Sequence, residues 1–137
     1  MDQLIVFLDA HWILVTAFLV VLSVAVRYEI SRGGTGISSQ QLTNMVNNEE
    51  ALVLDVRDEK DYKAGHITHS VNIPNAKLVD RITELDKYKG KPIIITCAVG
   101  QHSGSAGRQL RAAGHEKLYR LEGGISSWSG DSLPLVK

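Results

Sequence analysis

The chain has 137 residues, which is enough for one folded domain of ordinary size and a short appendage. Its 15 Lys and Arg residues equal its 15 Asp and Glu residues and are interleaved with them, which excludes the basic blocks typical of nucleic-acid-binding proteins. A single cysteine, Cys97, excludes an internal disulfide framework and a multi-thiolate zinc site. We expect neither a metal ion nor a cofactor.

The N-terminal segment is almost entirely apolar. From Leu4 to Val26 only four residues are polar, namely Asp9, His11, Thr16 and Ser23. A helix rises about 1.5 Å per residue, so this segment is long enough to cross a hydrocarbon core of roughly 30 Å. A cleaved signal peptide is the alternative, with Ser23-Val24-Ala25 as its cleavage site, but no basic residue precedes the apolar run. We therefore predict that residues 1–27 form a retained transmembrane anchor.

The charges that follow this segment indicate its orientation. Arg27 and Arg32 lie after the apolar run, and the positive-inside rule then places the following chain in the cytoplasm and Met1 outside. The glycine-rich stretch from Arg32 to Gly36 is typical of a flexible connection. The sequence thus predicts a linker at 28–36 and a folded domain at 37–137.

The domain begins with alternating helix and strand patterns. Ser38 and Gln41 have the spacing of a capping box, and the first helix after it turns Leu42, Met45 and Val46 inward. A buried strand is predicted at 51–56, a short helix at 58–64 closed by Gly65, and a short strand at 71–73 stopped by Pro74.

The second half of the domain continues this alternation. We predict a helix at 77–88 with Leu78, Ile82 and Leu85 inward, a central strand at 92–96, a strand at 118–121 and a last helix starting at 124–128. Strands that alternate with helices within about 100 residues indicate an α/β fold, a mostly parallel central sheet with helices on both faces. Reactive groups in such sheets collect beyond the carboxyl ends of the strands.

Cys97 lies at such a strand end. The β-branched run 93–96 stops at this cysteine, and a loop of small and polar residues leads into a segment that favours a helix. Backbone N–H groups at a helix N-terminus stabilise an anion such as a thiolate. The alternative is a buried structural thiol, but such a thiol does not need the flanking Gly100, Ser103 and Gly104.

Three separated motifs resemble the signatures of the rhodanese-like domain family. The first comprises Asp55-Val56-Arg57, Tyr62, Gly65-His66-Ile67 and Asn72-Ile73-Pro74. The second is an active loop of the form C-x-x-G-x-x-S from Cys97 to Ser103, and the third is a closing L-x-G-G-x-x-x-W from Leu121 to Trp128. The resemblance covers residue 37 to about residue 135, and it departs from the family at Asp61, usually Glu, and at His69, commonly Gly.

The resemblance implies a sulfurtransferase or persulfide carrier in which Cys97 takes a sulfane sulfur from a donor and passes it to an acceptor. Thiosulfate, polysulfide or a protein persulfide would be the donor, and a thiol or cyanide the acceptor. The residues implied to bind the substrate are those of the active loop, with a pair that shapes the site: Ala98, Val99, Gly100, Gln101, His102, Ser103, Asp55 and Arg57. Gly100 would permit the tight turn, and Ser103 would cap the following helix.

Two further expectations concern the site and its location. Related folds that act on phosphate close the loop with an arginine, whereas no arginine follows Cys97 before Arg108, so phosphatase activity is not expected. With its anchor the chain resembles the single-pass rhodanese-like proteins of Gram-negative bacteria, which implies an inner-membrane protein with possible membrane-protein partners. A non-catalytic interaction module of the same fold is the alternative function. His69 stands where the family commonly has Gly, and it is expected to adopt a backbone conformation other than the one that glycine takes there.

Overall fold

The computed structural model describes residues 1–31 and 33–137, and for Ile30 and Ser31 only the backbone. The chain divides into two compact units, Met1–Ser31 and Arg32–Lys137. Arg32, which belongs to the predicted linker and to the orientation argument, lies outside the described residues. The division into anchor, linker and domain stays a prediction.

The N-terminal unit consists of two helices, α1 over Asp2–Ala10 and α2 over Trp12–Ser31. They are separated at His11, whose ring Nδ1 lies 3.0 Å from the Phe7 carbonyl oxygen and whose ring stacks on that of Phe7. His11 has a φ of −125° and divides the run predicted at 4–26, although the backbone hydrogen bonds from its N–H to Phe7 and from the Val15 N–H to its carbonyl oxygen are both made. Within the described part of the chain one helix, from Trp12 to Glu29, is long and apolar enough to cross a membrane.

The second unit is built on a five-stranded sheet in which every pair of neighbouring strands is parallel. The strands are β1 (Thr35–Ile37), β2 (Leu52–Asp55), β3 (Val71–Asn72), β4 (Ile93–Thr96) and β5 (Leu118–Leu121). Their order across the sheet is β1-β5-β4-β2-β3. The predicted parallel sheet is confirmed, and β4 is its central strand.

Strand β1 lies partly in the stretch predicted as a flexible linker. Thr35 pairs with Tyr119 and Ile37 with Leu121, and the Glu122 N–H donates to the Ile37 carbonyl oxygen at 3.0 Å. At the other end of the predicted linker, residues 28–31 continue α2. Gly34 serves close packing here, because a Cβ atom on it would collide with the backbone carbonyl of Leu118.

Helix α3 spans Ser39–Glu49 and begins with the predicted capping box. The Gln41 N–H donates to Ser38 Oγ at 3.3 Å, and the Ser38 N–H donates to Gln41 Oε1 at 2.9 Å. The short helix α4 covers Glu59–Ala64 and ends at Gly65, as predicted. Between α4 and β3, His69 keeps a left-handed backbone with φ of 63°, so the expected change of conformation at this residue is wrong. Histidine is among the residues that tolerate this region better than most.

The segment predicted as one helix at 77–88 is α-helical only over α5, Leu78–Arg81. A 3₁₀ turn at Asn75–Lys77 precedes it and a 3₁₀ helix at Ile82–Tyr88 follows it. Ile82, Leu85 and Tyr88 recur every third residue and pack against the same core, and three residues per turn is the 3₁₀ period. The predicted inward residues are confirmed, but the helix type of the second half is wrong.

Helices cover both faces of the sheet. On one face α5 and α6 (Ser103–Ala112) pack on a core that contains Ile93, Ile95 and Cys97. On the other face α3 and α7 (Gly124–Gly130) pack on a core that contains Ile94 and Trp128. Cys97 therefore continues the alternation of β4 and faces the side that α6 covers.

Candidate active site

Cys97 lies directly beyond the carboxyl end of β4. Its side chain is 2% exposed, and its Sγ accepts a hydrogen bond from the backbone N–H of Gly100 at 3.0 Å. Gly100 has a φ of 91°, a left-handed conformation that folds the loop back on the sulfur. The loop thus places one backbone donor on the sulfur, whereas the sequence predicted that several N–H groups of residues 98–103 surround it. The anion-stabilising role of the loop stays a prediction.

Ser103 does not cap the helix, contrary to expectation. The chain is already helical in backbone conformation at His102, the residue before α6, so Ser103 is the first helical residue and its side chain points back into the loop. Its Oγ donates to the carbonyl oxygen of Gly100 at 3.2 Å. Ser103 is buried, and its hydrogen bond to Gly100 stabilises the turn that places the Gly100 N–H against the sulfur.

The start of α7 holds the loop from the other side. The Ile125 N–H donates to the Cys97 carbonyl oxygen at 2.8 Å, and the Ser126 N–H donates to that of Ala98 at 3.0 Å. Gly124 has a φ of 58°, and a Cβ atom there would collide with the Cys97 carbonyl. The sequence reasoning assigned no role in the site to this helix, although the paired glycines at 123 and 124 carried the signal.

Asp55 and Arg57 form a buried ion pair at the end of β2. Arg57 Nη2 donates to Asp55 Oδ2 at 2.8 Å and to the carbonyl oxygen of Gly65 at 2.7 Å, and Arg57 Nε reaches both carboxylate oxygens. The side chains of Arg57 and Asp55 are only 10% and 1% exposed. Asn72 Nδ2 donates to the carbonyl oxygens of Asp55 and Arg57. The separated parts of the first motif are thus one hydrogen-bonded network.

His66 lies next to this network in the chain and does not line the cleft described below. Its Nδ1 lies 2.9 Å from the Tyr62 carbonyl oxygen, and its ring stacks on that of Tyr62 at 3.9 Å between centroids. Its backbone exchanges two hydrogen bonds of 2.8 Å with Val136. These contacts are structural, and they hold the C-terminal segment against the domain.

An open cleft of about 480 Å³ adjoins the active loop. Its lining combines two charged residues with small, hydroxyl and apolar ones: Arg57, Asp61, Ala64, Gly65, Ala98, Ile125, Ser126, Ser129 and Leu135. The structure therefore brings two of the predicted residues, Arg57 and Ala98, to one cleft. Cys97 itself does not line the cleft, although Ala98 directly follows it in the chain.

Residues 38–131 match the family model described as the rhodanese-like domain. The chain belongs to the rhodanese-like family. The uncharacterized protein YibN of Escherichia coli K12 is 32% identical over 142 residues, which cover 100% of this chain and 99% of YibN. The thiosulfate sulfurtransferase GlpE of Pseudoalteromonas translucida is 35% identical over 92 residues, 67% of this chain and 86% of GlpE.

Solved structures show the same fold. The rhodanese-related protein of Thermoplasma volcanium superposes with a TM-score of 0.67 at 30% identity, covering 74% of this chain and 97% of that protein. The likeness thus extends over about three quarters of this chain and nearly all of that protein.

The remaining residues predicted for the rhodanese active loop lie at its outer rim. Val99, Gln101 and His102 are exposed, and the ring of His102 caps no helix. Asp55 is buried beneath Arg57 and does not line the cleft. Among the described residues no group of three His, Cys, Asp or Glu side chains is placed to hold a metal ion.

Proposed function

We propose that this protein is a membrane-anchored sulfurtransferase or persulfide carrier that moves a sulfane sulfur through a persulfide on Cys97. The observation that carries the proposal is the hydrogen bond from the Gly100 N–H to Cys97 Sγ. A backbone N–H held against the sulfur stabilises the negative charge of the Cys97 thiolate and of the persulfide that replaces it. Family membership and the likeness to a thiosulfate sulfurtransferase support the same chemistry.

The reaction would take place in two displacements. In the first, the Cys97 thiolate attacks the outer sulfur of the donor, a new S–S bond forms, and the donor's own bond to that sulfur breaks with its electron pair on the leaving group. In the second, a thiol or cyanide attacks the outer sulfur of the persulfide and releases the Cys97 thiolate. No general base is required, because the thiolate is itself the nucleophile.

The loop architecture suits a carrier of a labile sulfur. The N–H groups of the first three residues of α6 have no acceptor within their own helix and add a positive potential beside the loop. Burial of Cys97 limits the access of water and of unselected thiols to the persulfide. The exposed Ala98 and Val99 form the rim over which the donor and acceptor would approach.

We also propose that α2 anchors the protein in the bacterial inner membrane with the rhodanese domain in the cytoplasm. The described apolar side chains of α2 are exposed almost throughout, and Arg27 follows the apolar run. Protease added to intact spheroplasts should leave the domain uncleaved, whereas protease added to inverted membrane vesicles should release it. Release from intact spheroplasts would reverse the orientation.

Mass spectrometry of the full chain in detergent tests the chemistry, because its single cysteine makes the assignment unambiguous. Wild type treated with thiosulfate, polysulfide or a persulfidated protein should gain the mass of one sulfur atom, and Cys97→Ser should gain none. The matched control is Cys97→Ser combined with Val99→Cys, which moves the single thiol to a position that is 51% exposed. This variant should form the persulfide much more slowly, and equal rates would show that the loop contributes nothing.

A non-catalytic interaction module is the second candidate, and the near-complete burial of Cys97 is the observation that favours it. Cellular complementation separates the two. If Cys97→Ser restores every phenotype of a deletion strain, the domain acts through binding, whereas loss of complementation with a normally folded and inserted protein supports sulfur transfer.

A further inference from the structure

A second cleft, of about 410 Å³, lies between α4 and α5, and we call it the basic cleft. Among the described residues, its charged lining consists of three cations and one carboxylate: Lys63, Lys77, Arg81 and Glu59. Lys63 pairs with Glu59, and Arg81 pairs with Glu84, through solvent-accessible side chains. Such pairs are worth little and exchange partners readily. Lys77 is exposed and takes part in none of the ion pairs between described residues.

The three cations act together on one place. The pKa of Glu59 is lowered from its usual 4.5, first by the hydrogen bond and the charge of Lys63 and then by the charges of Lys77 and Arg81. A carboxylate at this place is therefore attracted by all three side chains. Because the lining contains only one carboxylate, it keeps an excess of positive charge even when Glu84 outside the lining is counted against Arg81.

The basic cleft lies at the same end of the sheet as Cys97. Asn72, which lines the cleft, pairs with Asp55 in the neighbouring strand, and Asp55 pairs with Thr96, the residue before Cys97. Neighbouring strands lie about 4.8 Å apart, so the backbone of Asn72 is about 10 Å from that of Thr96.

The helix that borders the basic cleft also covers the face of the sheet to which Cys97 points. Leu78, the first residue of α5, belongs to the same buried cluster as Cys97. Lys77 directly precedes this helix and Arg81 is its last residue. A donor only a few ångströms long, such as thiosulfate, cannot reach both the cleft and Cys97. A protein interface of about 800 Å² per partner has a radius of about 16 Å and covers both.

We propose that the basic cleft is a docking site for an acidic surface of a protein that exchanges sulfur with Cys97. The inference rests on the proposed function and names the class of its partner. With a partner R as donor, the transfer would be Cys97–S⁻ plus R–S–SH giving Cys97–S–SH plus R–S⁻, which conserves atoms, charge and electrons. The acidic group of the partner would lie about 13 Å from its reactive sulfur, the span of four extended residues.

The test uses three synthetic peptides that carry a persulfide on a single cysteine and, four residues away, three glutamates, three glutamines or three lysines. Persulfide formation on Cys97 is measured in single turnovers of the full chain in non-ionic detergent, far below saturation. Opposite charges about 6 Å apart in water speed capture about threefold for each pair at low ionic strength. Two such pairs should make the glutamate peptide about tenfold faster than the glutamine peptide, and the lysine peptide should be the slowest. Physiological salt should reduce the tenfold preference to about threefold.

Variants of Lys77 assign this preference to the basic cleft. Lys77→Gln should lower the preference for the glutamate peptide about threefold, and Lys77→Arg should keep it. Lys77→Glu should shift the preference toward the lysine peptide, which a loss of structure alone would not do. Lys117→Gln is the matched control, because it removes the same charge from an exposed residue just before β5, at the amino end of the sheet, and it should leave the preference unchanged.

The outcomes separate this inference from the proposed function. If the three peptides form the persulfide at equal rates, or if Lys77→Gln keeps the wild-type preference, the docking site is refuted while sulfur transfer stands. A preference that does not weaken as salt is added is not electrostatic and overturns the inference. If neither the peptides nor thiosulfate yield a persulfide in any variant, the proposed function fails and this inference fails with it.

Discussion

The glycines of this domain allow the contact between α7 and the active loop to be tested quantitatively. In Gly124→Ala the added methyl group meets two obstacles, a left-handed backbone with φ of 58° and the carbonyl group of Cys97. The left-handed conformation costs about 1 kcal/mol and the collision about 1 to 3 kcal/mol. If the helix shifts to relieve the collision, the 2.8 Å hydrogen bond from Ile125 to Cys97 is lost as well, at about 1 kcal/mol. A shift that breaks this hydrogen bond also relieves the collision, so the two costs do not add in full. We therefore expect a loss of about 2 to 4 kcal/mol in the free energy of unfolding.

Three other glycines separate these contributions. Gly90 has a φ of 89° and no neighbour within 4 Å, so Gly90→Ala isolates the backbone cost of about 1 kcal/mol. Gly107 lies inside α6, where a Cβ atom would collide with the carbonyl of Gly33, so Gly107→Ala isolates the collision. Its cost of about 1 to 3 kcal/mol is reduced by the better helix propensity of alanine. Gly130 has neither obstacle, and Gly130→Ala should be neutral or slightly stabilising.

Urea denaturation of the full chain in detergent measures these four values. In a Trp12→Phe background the buried Trp128, whose Nε1 donates to the Pro134 carbonyl oxygen, is the only tryptophan and reports on the domain. Gly124→Ala should also slow persulfide formation, because the loop that it displaces holds Cys97. If Gly124→Ala is as stable as Gly130→Ala, the proposed packing of α7 against the loop is wrong.

Two further predictions concern buried charge. Arg57→Leu leaves the Asp55 carboxylate buried without its partner and should destabilise the domain by about 3 to 5 kcal/mol, whereas adding Asp55→Leu should recover part of the loss in a double-mutant cycle. If the stability losses of the two single variants simply add in the double variant, Asp55 and Arg57 do not stabilise each other. Burial lowers the pKa of His115 from its usual 6.5, and the positive charge of Lys89 lowers it further. The negative charge of Asp86 acts in the opposite direction and is the smaller influence. The unfolded chain therefore binds the proton more readily, and the stability present above pH 6.5 is lost as the pH falls below that value. As the pH is lowered through this value, the free energy of unfolding should decrease less steeply for His115→Asn than for wild type. Equal slopes of free energy against pH would contradict the assignment.

Local patterns carried much of the domain's architecture. The capping box at Ser38 and the β-branched run before Cys97 each specify their element through neighbours three or four residues away. Alternating strand and helix patterns were enough to predict a parallel sheet, because parallel strands need helical crossovers. The β-branched run before Cys97, followed by glycine and serine, was enough to predict that this cysteine lies at a strand end and that a turn follows it.

Contacts between distant parts of the chain were beyond such reasoning. Thr35 and Gly36 are composed like a linker and become a strand only because β5, more than 80 residues later, offers its edge. Ser103 has the composition of a cap, but its role changed because His102 already begins the helical conformation.

The cleft that adjoins the active loop is the clearest case of this division. Sequence could identify Cys97 and the absence of an arginine in the loop after it. The sequence also suggested that Asp55 and Arg57 pair with each other, and the structure contains this pair. Only the folded chain shows that Arg57, Asp61 and Ala98 line one cleft, because these residues come from the end of β2, from α4 and from the loop after β4. Local residue order specifies elements and reactive groups, whereas the field that a substrate meets depends on which side chains the tertiary structure brings together.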